Sequence, residues 1–168
     1  MPSNPDVLLR NILPDDISTM INWPSYPPCF EELDYALRKR GWLSEYFNKP
    51  DTKCYAAEHL GELIGFAILS KTSKTGAEFR IALRPDKTGN GFGKTITAIV
   101  LKDGFMNMKI DRIHLIARKN NPRAIRLYKS IGFTERGECV KEIEGKQAAF
   151  LVMDIYYKRY FQKLEEEL

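Results

Sequence analysis

The stretch Arg84-Pro-Asp-Lys-Thr-Gly-Asn-Gly-Phe-Gly-Lys-Thr95 sets glycines at 89, 91 and 93, then Lys94 and Thr95, and runs into a segment of helical periodicity. Small residues let the backbone approach a ligand closely, and a helix N-terminus presents unbonded N–H groups with a partial positive charge. In physical terms that is an anion site. Arg84, Lys87 and Lys94 add flanking charge. Two phosphate loops fail by inspection. The pattern G-x-x-x-x-G-K-[ST] is met at Gly93-Lys94-Thr95 but needs glycine where Thr88 stands. The dinucleotide fingerprint G-x-G-x-x-G begins at Gly89 and Gly91 but requires a third glycine at Lys94. Taken alone, the loop is either the cradle of another phosphate or a glycine-rich turn that holds nothing.

A second informative segment is Asn121-Pro-Arg-Ala-Ile-Arg-Leu-Tyr-Lys-Ser-Ile-Gly-Phe133. Asn121 followed by Pro122 reads as an N-cap and first helical residue, and Gly132 as the stop. Ala124, Leu127, Tyr128 and Ile131 then share one stripe of the helix.

The elements that must position these segments follow from periodicity. Val7–Ile12 predicts a strand, and Asp15 caps a short helix ending near Trp23. The Pro- and aromatic-rich residues 23–30 form a loop, and Phe30–Asn48 a helix that Gly41 interrupts. Lys53–His59 and Glu62–Ser70 predict a hairpin turning at Leu60-Gly61. Ala77–Leu83 alternates apolar Phe79, Ile81 and Leu83 with Glu78, Arg80 and Ala82. After the glycine loop, Phe92, Ile96, Ile99 and Val100 predict a helix to Met106. Arg112–Arg118 is a strand, and Phe133–Ile143 and Gln147–Tyr156 are two more that meet at Gly145. The tail 157–168 is helix-prone. The order predicts an α+β (α/β sandwich) fold: a mixed, mostly antiparallel central sheet of about seven strands with helices on both faces.

Composition narrows the function. The 168 residues suit one domain over 1–168, with a core spanning 7–156. A formal charge of +4 is too mild for a nucleic-acid domain, so no nucleic-acid partner is expected. No run of ~18 apolar residues crosses a membrane. The N-terminus MPSNPDVLLR does not read as a secretory signal. Cys29, Cys54 and Cys139 are odd in number and widely spaced, which argues against disulfides or a CxxC metal site and for a cytoplasmic protein. His59 and His114 stand alone and read as structural, so no metal is expected.

Together the two segments resemble the GNAT superfamily of acyl-CoA-dependent N-acyltransferases, whose loop reads Q/R-x-x-G-x-G/A and whose next helix reads N-x-x-A-x-x-L-Y-x-x-x-G-F. The second pattern is matched at Asn121, Ala124, Leu127, Tyr128, Gly132 and Phe133, and the element order fits over residues 7–156. The resemblance implies an N-acetyltransferase moving an acetyl group from acetyl-CoA to a primary amine by direct attack in a ternary complex. It implies that Thr88, Gly89, Asn90, Gly91, Phe92, Gly93 and Lys94 surround the coenzyme A pyrophosphate. The strand residues Ile81, Ala82 and Leu83 would pair with the pantetheine arm, and Asn121 would touch the coenzyme besides capping its helix. Tyr128 becomes the acid that protonates the departing thiolate. Glu78 becomes the base, acting directly or through water, with Glu58 a weaker alternative. One departure is Thr88, which occupies the usual Gln/Arg position, with Lys87 a substitute within reach.

The acceptor is less defined. Trp23, Tyr26, Phe30, Trp42 and Tyr46 make its implied region aromatic, with Glu31, Glu32 and Asp34 beside them. That mixture suits a cationic amine through cation–π contact and ion pairing, and equally suits packing of two helices. Small amine, polyamine, antibiotic, peptide N-terminus and lysine side chain stay open. The alternative from another class is a non-catalytic acyl-CoA-binding or sensing module. The chain is expected to be a monomer or a homodimer, with the apolar stripe of the tail either folded back or facing a partner.

Overall fold

A computed structural model describes residues 5–167. Its strands are β1 (Leu8–Asn11), β2 (Thr52–His59), β3 (Glu62–Lys71), β4 (Gly76–Leu83), β5 (Arg112–Arg118), β6 (Thr134–Ile143) and β7 (Lys146–Tyr156). Its α-helices are α1 (Pro14–Ile21), α2 (Trp42–Tyr46), α3 (Phe92–Asn107), α4 (Pro122–Ile131) and α5 (Tyr157–Glu166). The seven strands hydrogen-bond in the order β1-β2-β3-β4-β5-β7-β6. β1–β2, β2–β3, β5–β7 and β6–β7 are antiparallel, whereas β4–β5 is parallel. This is the mixed, mostly antiparallel sheet that the sequence predicts.

The chain divides into two compact units. The first comprises residues up to Ser70 together with Arg80–Val100, and the second comprises Lys71–Phe79 with Leu101 onward. In the first, Met20, Leu37, Phe66 and Ile68 are buried in one apolar cluster with Trp23, Tyr26 and Leu43. Fully burying a large apolar side chain contributes about 1.5–3 kcal/mol, so this cluster is a main source of the unit's stability. Ile64 through Leu69 on β3 are all buried, which makes that strand an apolar run rather than an alternation.

Two local expectations change here. The helix expected over Phe30–Asn48 is instead a kinked 3-10 segment, Pro28–Leu37, followed by the short α2. The expected interruption at Gly41 is present, where a Cβ would lie 2.2 Å from the Tyr35 carbonyl oxygen, and the kink lies at Phe30, whose φ/ψ are non-helical. The cap of α1 is Leu13 rather than Asp15. Asp16 reaches back to accept the Leu13 N–H at 2.7 Å and binds Arg10 through both carboxylate oxygens.

In the second unit β5 keeps period-2 alternation. Ile113, Leu115 and Ala117 are buried, while Arg112, His114, Ile116 and Arg118 are half-buried on the other face. The tail helix α5 packs within this unit, with Tyr160 buried and its ring 5.2 Å from that of Phe105. Tyr157 meets Phe105 edge-on at 5.9 Å.

Candidate functional site

The glycine loop lies in the first unit. Gly89 and Gly91 have φ of 80° and 83°, the left-handed region that side-chain-bearing residues avoid. Left-handed residues alternating with ordinary ones are the backbone pattern from which an anion-binding nest of N–H groups is built. The loop is braced from below. Phe92 is buried with its ring 4.9 Å from that of His59, and Thr97 Oγ1 donates to the Gly93 carbonyl at 2.6 Å. Thr88 does not offer its hydroxyl proton to a phosphate in place of the usual Gln/Arg, because Oγ1 donates to the Pro85 carbonyl at 3.1 Å. Lys87 is turned to Glu62 at 3.6 Å, and Arg84 binds Glu62 at 2.7 Å and Asp86 at 2.6 Å. The Arg84 hydrogen bonds hold both carboxylates below their ordinary range. Of the three flanking cations, Lys94 alone stands exposed with no ion pair among the described residues.

The strand that feeds the loop has its own signature. β4 pairs with β5 from Gly76 opposite Arg112 to Glu78 opposite His114. The ladder ends there, although β4 runs on to Leu83 and β5 to Arg118. On its other side β4 is approached closely: a Cβ on Gly65 would lie 2.8 Å from the Ala82 carbonyl oxygen. Ala82 is buried and Ile81 and Leu83 are half-buried. A strand held on one side and released from its ladder on the other offers backbone groups to an extended ligand.

In the second unit α4 forms as predicted. Asn121 Oδ1 accepts the Ala124 N–H at 3.3 Å, and Gly132 terminates the helix. Tyr128 packs its ring edge-on against Phe133 at 5.6 Å. Burial pushes its hydroxyl well above the ordinary phenol value, and among the described residues nothing hydrogen-bonds it. The phenol therefore stays protonated across the neutral range, and its proton is committed to no other group. Glu78 is half-buried, with its Oε2 3.7 Å from His114 Nε2. Glu58, the weaker base, is already held by Arg10 at 3.2 Å and belongs to the Arg10–Asp16 network of the first unit.

The aromatic and acidic residues expected to meet an acceptor are largely spent on the fold. Trp23 and Tyr26 are core residues, and the Tyr26 hydroxyl donates to the Leu83 carbonyl. Asp34 clamps Arg38 at 2.6 and 2.8 Å, and Arg38 donates onward to the carbonyls of Ile21 and Trp23. That clamp depresses the Asp34 pKa. Trp42 and Tyr46 face the guanidinium of Arg80, and Lys49 lies 4.9 Å over the Tyr46 ring. Phe30 is partly exposed, at 38%. The side chains of Cys29, Glu31 and Glu32 lie outside the described residues.

Sequence reasoning missed one constellation, in the second unit. Asp154 is 3% exposed and binds Arg112 at 2.9 Å and Arg136 at 2.7 Å. Arg112 Nη1 in turn lies 3.4 Å from His114 Nδ1. His114 stands opposite Glu78 on one side and opposite Asp154 on the other. The period-2 spacing of Arg112 and His114 was a signal, but the register that brings β7 beside them is not local. Among the described residues no group of three His, Cys, Asp or Glu side chains forms a metal site. No described helix is long and apolar enough to cross a membrane.

Comparison with known proteins bears on the fold and the family. The model of the Acetyltransferase (GNAT) family matches residues 19–133. The spermidine N(1)-acetyltransferase of Vibrio cholerae serotype O1 is 33% identical over 91 residues, a match that spans only 53% of either chain. That of Escherichia coli K12 is 26% identical over 175 residues, covering 95% of this chain and 91% of its own. The crystal structure of the Vibrio cholerae spermidine N-acetyltransferase in complex with CoA and spermine superposes with a TM-score of 0.76 at 23% identity. It covers 92% of this chain and 98% of that one, and it shares the fold.

Proposed function

We propose that the chain, which belongs to the GNAT acetyltransferase family and whose reaction is accordingly acetyl transfer from acetyl-CoA to an amine, takes a polyamine of the spermidine class as acceptor. The full-length likeness to a spermidine N(1)-acetyltransferase supports the acceptor. The observation that carries the donor side is the end of the β4–β5 ladder at Glu78–His114, followed along β4 by the glycine nest.

In this reading the N–H groups of Gly89–Lys94 and the exposed Lys94 ammonium hold the pyrophosphate, and the backbone of Ile81–Leu83 pairs with the pantetheine arm. Asn121 keeps its cap and adds a contact to the coenzyme. The attacking amine must be neutral, so Glu78 takes its proton, directly or through water. As the new C–N bond forms and the C–S bond breaks, Tyr128 donates its proton to the sulfur, and the proton that the acylated nitrogen sheds returns through water to the phenolate. A free thiol has a pKa near 8.5, so the thiolate leaves readily and a weak acid at hydrogen-bonding distance is enough; burial, which raises the phenol's pKa, holds the proton on Tyr128 until the sulfur develops charge. The whole chain works as one catalytic domain. Its compartment is the cytoplasm, in keeping with the free thiols of Cys54 and Cys139.

The test is thiol release from acetyl-CoA across a panel of spermidine, spermine, simple monoamines, an aminoglycoside and a lysine peptide. Spermidine and spermine should give the highest kcat/KM. Preference for another amine removes the polyamine assignment. Tight acetyl-CoA binding with no thiol release on any amine points instead to a binding module.

A further inference from the structure

We propose that His114 is a positioning residue for Glu78, holding its carboxylate in place from the last rung of the β4–β5 ladder. The inference rests on the reading of Glu78 as the base. The two residues are direct cross-strand partners, so their side chains leave the same face of the sheet side by side. They are half-buried to nearly the same degree, 17% and 18% exposed.

The proton on the imidazole is fixed by its other neighbour. Arg112 Nη1 is 3.4 Å from His114 Nδ1, and a guanidinium has donors only. Nδ1 must therefore present its lone pair to Arg112, which leaves the N–H on Nε2. Nε2 is the nitrogen that faces Glu78, at 3.7 Å from Oε2. That separation exceeds a formed hydrogen bond, but contacts of this kind tighten when substrate is bound.

Arg112 is itself held. Its Nε donates to the buried Asp154 at 2.9 Å, and Asp154 also takes Arg136 from β6 at 2.7 Å. The line Asp154–Arg112–His114–Glu78 thus passes from β7 through β5 to β4. Each member fixes the orientation of the next, and the final carboxylate loses rotamers that point its oxygens elsewhere. Such restraint matters in the transition state, because a misplaced base loses proton-transfer efficiency while ground-state binding is spared.

The experiment is a double-mutant cycle on the full chain with the best acceptor of the panel. His114→Phe keeps an aromatic ring without nitrogens, His114→Gln keeps a donor in side-chain reach, and Glu78→Gln removes the base. We expect Glu78→Gln to lower kcat on the order of 10²-fold, the low end of what general-base catalysis contributes, and His114→Phe roughly tenfold, a part of that contribution. The KM for acetyl-CoA should be unchanged, and His114→Gln should restore most of the rate. In the Glu78→Gln background His114→Phe should cost nothing further, because a residue acting through Glu78 has nothing left to act on. An equal loss in both backgrounds overturns the positioning role while leaving the base intact, and so does a wild-type kcat in His114→Phe. A wild-type kcat in Glu78→Gln overturns the base reading and this inference with it. If His114→Phe melts well below the wild type, the His114→Gln variant decides: a low kcat in a stable His114→Gln protein also overturns the proposal.

Discussion

The guanidinium of Arg80 lies over the ring of Trp42, 5.3 Å from its centroid. The same cation stands 5.0 Å from the centroid of Tyr46, so two aromatic faces of α2 are taken by one residue of β4. Aromatic faces near a cationic substrate invite the idea of a cage, yet here the chain supplies its own cation. An acceptor ammonium must find carboxylates or other rings, or displace Arg80.

The first prediction concerns that stack. Arg80→Ala should lower the stability of the protein by about 1–2 kcal/mol, through the lost cation–π contacts and the lost packing of the arginine stem. Urea unfolding followed by tryptophan fluorescence measures it, since Trp42 reports directly. Arg80→Lys should fall between the two, because an ammonium lacks the planar face that stacks on both rings. Equal midpoints for Arg80→Ala and wild type would show that the stack contributes nothing.

A second prediction concerns charge in the nest. Gly91→Asn and Gly91→Asp meet the same surroundings: the nearest described atom to a Cβ there is Pro5 Cδ at an ordinary 3.6 Å. Both pay for a φ of 83°, a conformation that Asn and Asp tolerate better than most residues. They differ by one negative charge where the pyrophosphate is proposed to sit. Calorimetry should find acetyl-CoA affinity reduced modestly in Gly91→Asn and at least about a further tenfold in Gly91→Asp, a gap of 1.4 kcal/mol. Equal affinities would move the phosphate site elsewhere.

The pattern of what was legible follows the range of each interaction. α4 was readable to the residue, because its cap, its Pro122 and its Gly132 stop are local chemistry. β5 was likewise bounded correctly by its alternation. The segment from Pro28 to Tyr46 was only half legible: the interruption at Gly41 was, but helical spacing does not distinguish a 3-10 segment kinked at Phe30 from an α-helix. At the site, the loop and Tyr128 stood out by motif. His114 looked solitary because its partners, Glu78 and Asp154, reach it through strand register rather than through sequence neighbourhood. Arg80 was likewise invisible as a partner of Trp42, and Lys87 as a partner of Glu62.

The third prediction is an acid limb. Asp16 is held below its ordinary 3.8, chiefly by the hydrogen bonds from Arg10, and Asp34 likewise by Arg38. A carboxylate with a depressed folded pKa contributes stability above its unfolded value and loses it as pH falls through the folded one. Unfolding free energy should therefore drop as pH goes below 3.8. Asp16→Asn removes the ion pair and weakens the bond to the Leu13 N–H, costing roughly 1.5–3 kcal/mol near neutrality. Its stability should then fall less steeply at acid pH, with Asp34, Glu62 and Asp86 supplying what slope remains. Parallel pH profiles of wild type and variant would refute the assignment.

The last prediction joins the chemistry and the alkaline limb at Tyr128. Tyr128→Phe removes one hydroxyl and little volume, so the edge-on contact with Phe133 persists. The proton donor to the thiolate is gone, an interaction made only as the C–S bond breaks. Losses of that kind lower kcat and kcat/KM together and spare acetyl-CoA binding. A drop of about 10²-fold is the low end for general acid catalysis, and a good leaving group keeps the effect there. The same hydroxyl has a stability signature. Burial raises its folded pKa above the ordinary 10.0. The unfolded chain then releases this proton first, so stability is fully present below pH 10 and is lost as pH rises toward the folded value. Tyr128→Phe cannot lose what it does not carry, so its unfolding free energy should fall less between pH 10 and 11 than that of the wild type. Tyr160, also raised by burial, keeps part of the slope in both proteins. A wild-type kcat with a flattened alkaline limb would leave Tyr128 a buried phenol of the fold and take the acid from it.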